Sequence, residues 1–203
     1  MRTTPIIIVA LALAGATSVT SAALIAGDTA PNFTLNRWGT STPVSLYDYA
    51  GKIVVLDFFA YWCGPCRTAC SELEPNIQQY YAARGGNPSR IPVQVISLSI
   101  DASQPSSVDS FIAQYGLGTV LDDRNLVAFN PYSSDLIPQF AIIDGATDTN
   151  HRQWEILGAD IGYSSGGYTS FRSTIDAVVL VPEPSTFALV AIGAAALTRF
   201  RRR

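Results

Sequence analysis

Histidine, lysine and methionine each occur once in these 203 residues, as His151, Lys52 and Met1, and cysteine occurs three times. A structural zinc site takes about four Cys or His ligands. Three cysteines and one histidine remote from them supply no second ligand pair, so no metal site is expected, and His151 reads as a solvated loop residue. No apolar run reaches the ~20 residues that cross a bilayer easily as a helix. Basic charge is scarce as well. Between Leu24 and Leu180, 8 Lys/Arg stand against 15 Asp/Glu, a net charge of −7. That balance leaves no electrostatic footprint for nucleic acid.

The longest apolar runs lie at the two ends. Arg2 precedes "PIIIVALALAGA" (Pro5 to Ala16), and the small residues of "TSVTSAA" (Thr17 to Ala23) follow. One positive charge, a short apolar stretch and an A-x-A-like exit read as a secretory signal over residues 1–23, cut after Ala22 or Ala23; the alternative is an uncleaved anchor. At the other end, "VPEPSTFALVAIGAAALTRFRRR" (Val181 to Arg203) joins a Pro-Glu-Pro-Ser turn, a short apolar run from Phe187 to Leu197, and Arg199, Arg201, Arg202 and Arg203. Terminal arginines hold such an end on the cytoplasmic side. An exported chain would stall there, as at the removable tail of a GPI signal. In motif, order and position, residues 181–203 resemble the PEP-CTERM sorting signal of bacterial exported proteins. The resemblance implies recognition and cleavage by an exosortase near Pro182-Glu183-Pro184; a plain tail anchor is the alternative. Localisation is therefore expected to be the periplasm or cell envelope, with membrane attachment through the C-terminal segment.

One domain, residues 24–180, is expected in between. "KIVVLDFFA" (Lys52 to Ala60) and "PVQVISLSI" (Pro92 to Ile100) are continuous apolar runs rich in β-formers, hence buried strands. A helix is predicted from about Cys63 to Arg84, stopped by Gly85 and Gly86, and another from Ser107 to Gly116. "QFAIID" (Gln139 to Asp144) and "QWEILGADIGY" (Gln153 to Tyr163) read as a strand pair joined by a loop, and Ser170 to Leu180 as a final helix. Strands alternating with helices point to an α/β sheet flanked by helices.

All three cysteines fall in "FFAYWCGPCRTAC" (Phe58 to Cys70). A strand delivers the chain to Cys63 and a helix begins there, where unpaired N–H groups and the helix dipole favour a thiolate. Gly64 and Pro65 complete a tight C-x-x-C turn, and Pro65 suits a first helical turn. C-x-x-C beside a βαβ pattern is the expected redox signature: Cys63 attacks a substrate disulfide and Cys66 resolves the mixed disulfide. Outside the cytoplasm such a pair also persists as a structural disulfide. Cys70 lies four residues after Cys66 on the same helix face, either as a small buried hydrophobe or as a third redox thiol.

"WCGPC" (Trp62 to Cys66) resembles the active-site motif of thioredoxins. Asp57 stands at the place of that family's buried aspartate, and "IPQF" (Ile137 to Phe140) is similar to the segment holding its cis-proline, here Pro138. "GDTAPNFTL" (Gly27 to Leu35) resembles the lead-in of the exported thioredoxin-like and peroxiredoxin-like branch. The resemblance implies a thioredoxin fold with a central mixed sheet flanked by helices and an N-terminal extension. It implies a thiol–disulfide oxidoreductase with Cys63 as nucleophile, Cys66 as resolving thiol, Asp57 as proton acceptor and Pro138 guiding substrate. Trp62, Gly64, Pro65 and Ile137 would form the surface that meets the substrate. No soluble cofactor is implied, since electrons pass through the dithiol. Partners would be protein disulfides or dithiols and a membrane electron donor or acceptor.

Two departures from the family stand out. The lysine usual beside the buried aspartate is replaced by Ser97, so a buried Asp57 should lean toward its neutral form; a strand-end aspartate with a local hydrogen bond is the plainer alternative. The proline that kinks the first helix is replaced by Ser71, and Pro75 places the bend one turn later. Pro65, Thr68 and Cys70 approach the peroxidase pattern P-x-x-x-T-x-x-C in order but miss its spacing. Thiol peroxidase activity and a non-catalytic surface protein on the same scaffold are the rival functions. Trp38 and Trp154 read as packing or surface aromatics.

Overall fold

The computed structural model describes residues 23–132 and 135–181. The expected signal and sorting segments lie outside them, apart from Ala23 and Val181. In chain order the strands are β1 (Thr34–Arg37), β2 (Pro43–Ser45), β3 (Ile53–Phe59), β4 (Val93–Ser99), β5 (Val120–Asp122), β6 (Gln139–Asp144) and β7 (Glu155–Ile161). The α-helices are α1 (Gly64–Leu73), α2 (Gln79–Ala82), α3 (Pro105–Tyr115), α4 (Phe129–Tyr132) and α5 (Tyr168–Asp176). One mixed sheet runs β2-β1-β5-β4-β3-β6-β7. Within it β3 pairs in parallel with β4, and β4 with β5, while β6 lies antiparallel to both β3 and β7.

β3 sits near the middle of the sheet with both faces covered, so all of its residues are buried and its run is continuously apolar save for Asp57. The period of two sorts its side chains. Val54, Leu56 and Phe58 join Ile96, Leu98, Ala141 and Ile143 against Phe33, Leu46, Phe129 and Tyr132. Ile53 and Val55 join Val93, Val95, Phe140 and Ile142 against Leu73, Ile77, Phe171 and Ile175. By the same alternation Asp57 falls on the second face, under α1.

Three strands escape the sequence reading. β2 and β5 are three residues each and β1 is four, too short for a two-residue period to register. β1 and β2 form an antiparallel hairpin that docks on β5, which gives the N-terminal extension a place in the sheet. The helix expected over Cys63 to Arg84 is interrupted by a π-turn at Glu74–Gln78 that contains Pro75; a proline has no N–H for the helical ladder, and the ladder widens there. The last helix ends at Asp176, four residues short of expectation. The buried Asn87 takes the carbonyls of Ile175 and Val178, and the Val179 N–H goes to Asn150 Oδ1, so the helical ladder has no continuation. The glycine stops do hold: Gly116 caps α3 at φ +64°. Gly86, at φ +119°, leaves no room for a Cβ, which would stand 2.5 Å from the Ile91 carbonyl oxygen.

Candidate active site

The C-terminal end of β3 delivers the chain to Cys63, the N-cap of α1, with Pro65 in the first turn as its fixed φ favours. Cys63 and Cys66 are joined in a disulfide with their Cα atoms 5.3 Å apart. The Cys66 N–H donates to Cys63 Sγ at 3.2 Å, so the same turn that closes the ring offers a donor to the first sulfur. Cys66 is fully buried, whereas Cys63 keeps a sliver of exposure (4%) beside the exposed Trp62 (56%). Of the two, Cys63 therefore lies slightly nearer the surface.

Trp62 is held rather than loose: its Nε1–H donates to Asp101 Oδ2 at 2.7 Å. Asp101 also accepts from the Ser103 N–H at 2.7 Å, and these bonds, Ser103 first, hold its carboxyl below the usual range. Sequence reasoning did not single out Asp101. The usable signal is its place directly after β4, at the sheet end where β3 delivers the cysteines. Trp38 donates to Asp109 at 2.7 Å, and Trp154 is buried and stacked on Tyr47 with ring centroids 4.1 Å apart; both pack as expected. His151 lies beside Glu155, its Nδ1 3.5 Å from Oε1. Among the described residues no group of three His, Cys, Asp or Glu side chains is placed to hold a metal ion.

The Ile137–Pro138 peptide is cis, and Pro138 is buried at the start of β6. Ile137 packs against the cluster that contains Cys63, Cys66 and Cys70. The Pro138 carbonyl accepts the Gly162 N–H at 2.8 Å. The loop beyond Gly162 is tied back to α1 by Glu72, which accepts from the Tyr163 hydroxyl, the Ser165 hydroxyl and the Gly166 N–H, each at 2.9 Å. Burial pushes the Glu72 carboxyl up, but these three donors together outweigh it and lower its pKa. Nothing local in the sequence points to Glu72; its partners lie more than 90 residues away.

Asp57 is fully buried and sits opposite Ser97 on β4 and Phe140 on β6. The Cys70 thiol donates to its Oδ2 at 3.2 Å, and the Ser97 hydroxyl approaches the same oxygen at 3.4 Å. Burial pushes Asp57 up to about 7, and the two hydrogen bonds offset only part of that rise. This matches the neutral lean expected where no lysine stands beside it. Cys70 is free and fully buried. Burial first, then the charge of Asp57, pushes its thiol well above the ordinary range. A peroxide-attacking thiol needs the reverse, an exposed and readily ionised sulfur. We expect Cys70 to resist N-ethylmaleimide in the native reduced protein while Cys63 is labelled, with mass spectrometry of the digest as the check.

The fold and this geometry meet in the comparisons. Residues 26–157 match the AhpC/TSA family. The chain belongs to the AhpC/TSA family. Its thioredoxin fold is shared with a Chlorobium tepidum structure assigned as the thiol:disulfide interchange protein DsbE. That structure is 28% identical with a TM-score of 0.59, over 74% of this chain and 94% of that one. Among relatives in sequence, the thiol-disulfide oxidoreductase ResA of Geobacillus kaustophilus is 30% identical over 148 residues, 70% of this chain and 79% of its own length. The ResA of Oceanobacillus iheyensis is 32% identical over 94 residues, 45% of this chain but only 44% of that protein. Residues 180–203 match the PEP-CTERM protein-sorting motif. Among the described residues no helix is long and apolar enough to cross a membrane.

Proposed function

We propose that this AhpC/TSA chain is an exported thiol–disulfide oxidoreductase that works through the Cys63–Cys66 dithiol. The observation that carries this is the disulfide at the start of α1, with Cys66 fully buried, Cys63 nearly so beside the exposed Trp62, and a buried Asp57 with its pKa raised to about 7 hydrogen-bonded to Cys70 on the same helix. In the reducing direction the Cys63 thiolate attacks a substrate disulfide; that S–S bond breaks and one substrate thiolate leaves. Cys66 then gives its proton to the Asp57 carboxylate and attacks Cys63 Sγ. The second substrate thiolate departs, and the Cys63–Cys66 bond forms. Two electrons pass from the dithiol to the substrate, and no other cofactor takes part. Trp62, Gly64, Pro65 and Ile137 make the rim that a protein substrate meets, and Pro138 holds Ile137 against the disulfide.

Export follows from the N-terminal signal expected over residues 1–23 and from the sorting motif, which an exosortase would read and cut. Past α5, Leu180 forms an isolated bridge with Thr149, and the Val181 N–H donates to the Asp148 carbonyl. That is beyond the Asp144 end of β6, whereas the disulfide lies at the Gln139 end, about 20 Å away along a strand of this length.

The test is equilibration of the purified protein with defined thiol buffers, alongside insulin reduction. A potential near that of thioredoxin, about −270 mV, marks a reductant, and one near DsbA, about −120 mV, marks a disulfide donor. A disulfide that exchanges with neither glutathione nor insulin sinks the proposal in favour of a static bridge.

A further inference from the structure

We infer that Cys70 is a positioning residue for Asp57: its thiol and the Ser97 hydroxyl together hold Oδ2 of that carboxyl and leave Oδ1 to take the proton of Cys66. This rests on the proposed dithiol chemistry and assigns a part in it to the third cysteine. Cys66 and Cys70 are four residues apart on α1, so they face the same way, with about 6 Å of rise between them. Both are fully buried and share one cluster with Phe59, Ala60 and Val108. Asp57 meets that face from below through Cys70. Both of its donors converge on Oδ2, while Oδ1 is buried with no hydrogen-bond partner. A bare buried carboxylate oxygen is unfavourable, and such an unpaired group calls for a role. The proton acceptor for the thiol one turn up the helix supplies one.

The choice of cysteine has a physical reason. Alanine or valine would fill the space and leave Oδ2 with the long Ser97 bond alone. A lysine or arginine would keep Asp57 ionised throughout the neutral range. A thiol is a weak donor, so the carboxyl stays poised near neutral pH, where a general base works best. The groups around Asp57 agree with this. From α1 and the π-turn come Cys70 and, one turn on, Glu74; from β4 comes Ser97; from β6 comes the apolar Phe140. No cation is among them.

The experiment titrates the Asp57 carboxyl carbon by 13C NMR in the full-length oxidised protein and in Cys70→Ala, Cys70→Ser and Ser97→Ala. It also records the pH–rate profile of the reduced proteins with a small aromatic disulfide. Losing a donor to the charged form moves the midpoint in Cys70→Ala about one pH unit upward, which lowers the ionised fraction at pH 7 about fivefold. Ser97→Ala moves it the same way, and Cys70→Ser restores it. The rate inflection follows in each case. A midpoint unmoved in Cys70→Ala, or in Ser97→Ala if the former does not fold, overturns the inference and leaves Cys70 as packing alone. The NMR midpoint needs no turnover. An inactive protein whose midpoint still shifts sinks the dithiol chemistry, whereas an active one whose midpoint stays put sinks only the part given to Cys70.

Discussion

Cys63→Ser removes disulfide exchange altogether, a loss on the order of a thousandfold or more in insulin reduction, because the attacking atom is gone and no neighbour can replace it. Cys66 is fully buried, and Cys70 is buried with its thiol pushed well up by burial and by Asp57. Cys66→Ser behaves differently. Its first attack survives but its resolution does not, so it accumulates a mixed disulfide with the substrate, visible as a shifted band on a non-reducing gel. The contrast between the two variants is more informative than either alone. If Cys63→Ser keeps a tenth of the activity, the nucleophile lies elsewhere and the inequivalence of the two sulfurs has been misassigned. If Cys66→Ser turns over normally, resolution comes from a second thiol or from outside the protein.

Asp57→Asn makes the protein more stable and less active. The parent carboxyl is fully buried, and burial raises its folded pKa from 3.8 to about 7. Below pH 3.8 the folded and unfolded chains are both protonated there and the group contributes nothing. Between 3.8 and about 7 the unfolded chain releases its proton first, so stability falls as pH rises. Above that range the whole penalty is present, on the order of 4 kcal/mol. Asparagine has no proton to lose, so in urea titrations the variant should exceed the parent by that order at about pH 8 and equal it near about pH 3.5. Dithiol turnover should drop about a hundredfold at neutral pH, since Cys66 loses its proton acceptor. Equal stability of parent and variant at about pH 8 would mean that Asp57 ionises without penalty, and its role as a poised base would go with it. The expected result is a stability–activity trade-off centred on one buried atom pair.

The parts of this molecule written in short-range pattern are legible in the amino-acid sequence alone. The strand at "KIVVLDFFA" shows as an unbroken apolar run because both its faces are covered. Trp62-Cys63-Gly64-Pro65-Cys66 shows as a helix start because proline and the N-cap position have local requirements. Gly116 stops α3 because its φ of +64° suits glycine, and the sorting motif shows because it is linear. Each of these depends on neighbours within a few residues.

What the tertiary structure alone decided is who stands next to whom across the sheet. Strand register sets Ser97 and Phe140 on either side of Asp57. The docking of α1 on that face turns Cys70 from a spare hydrophobe into a hydrogen-bond donor. The return of the chain after β4 brings Asp101 to Trp62, and the end of β7 puts residues 163–166 within reach of Glu72. The short strands β1, β2 and β5 exist because neighbouring strands take up their backbone groups, with only three or four residues each to announce them. The disulfide pair was thus determined by local sequence. The surroundings that set its proton chemistry were decided by packing between residues 13 to 94 positions apart, where no periodicity carries the information.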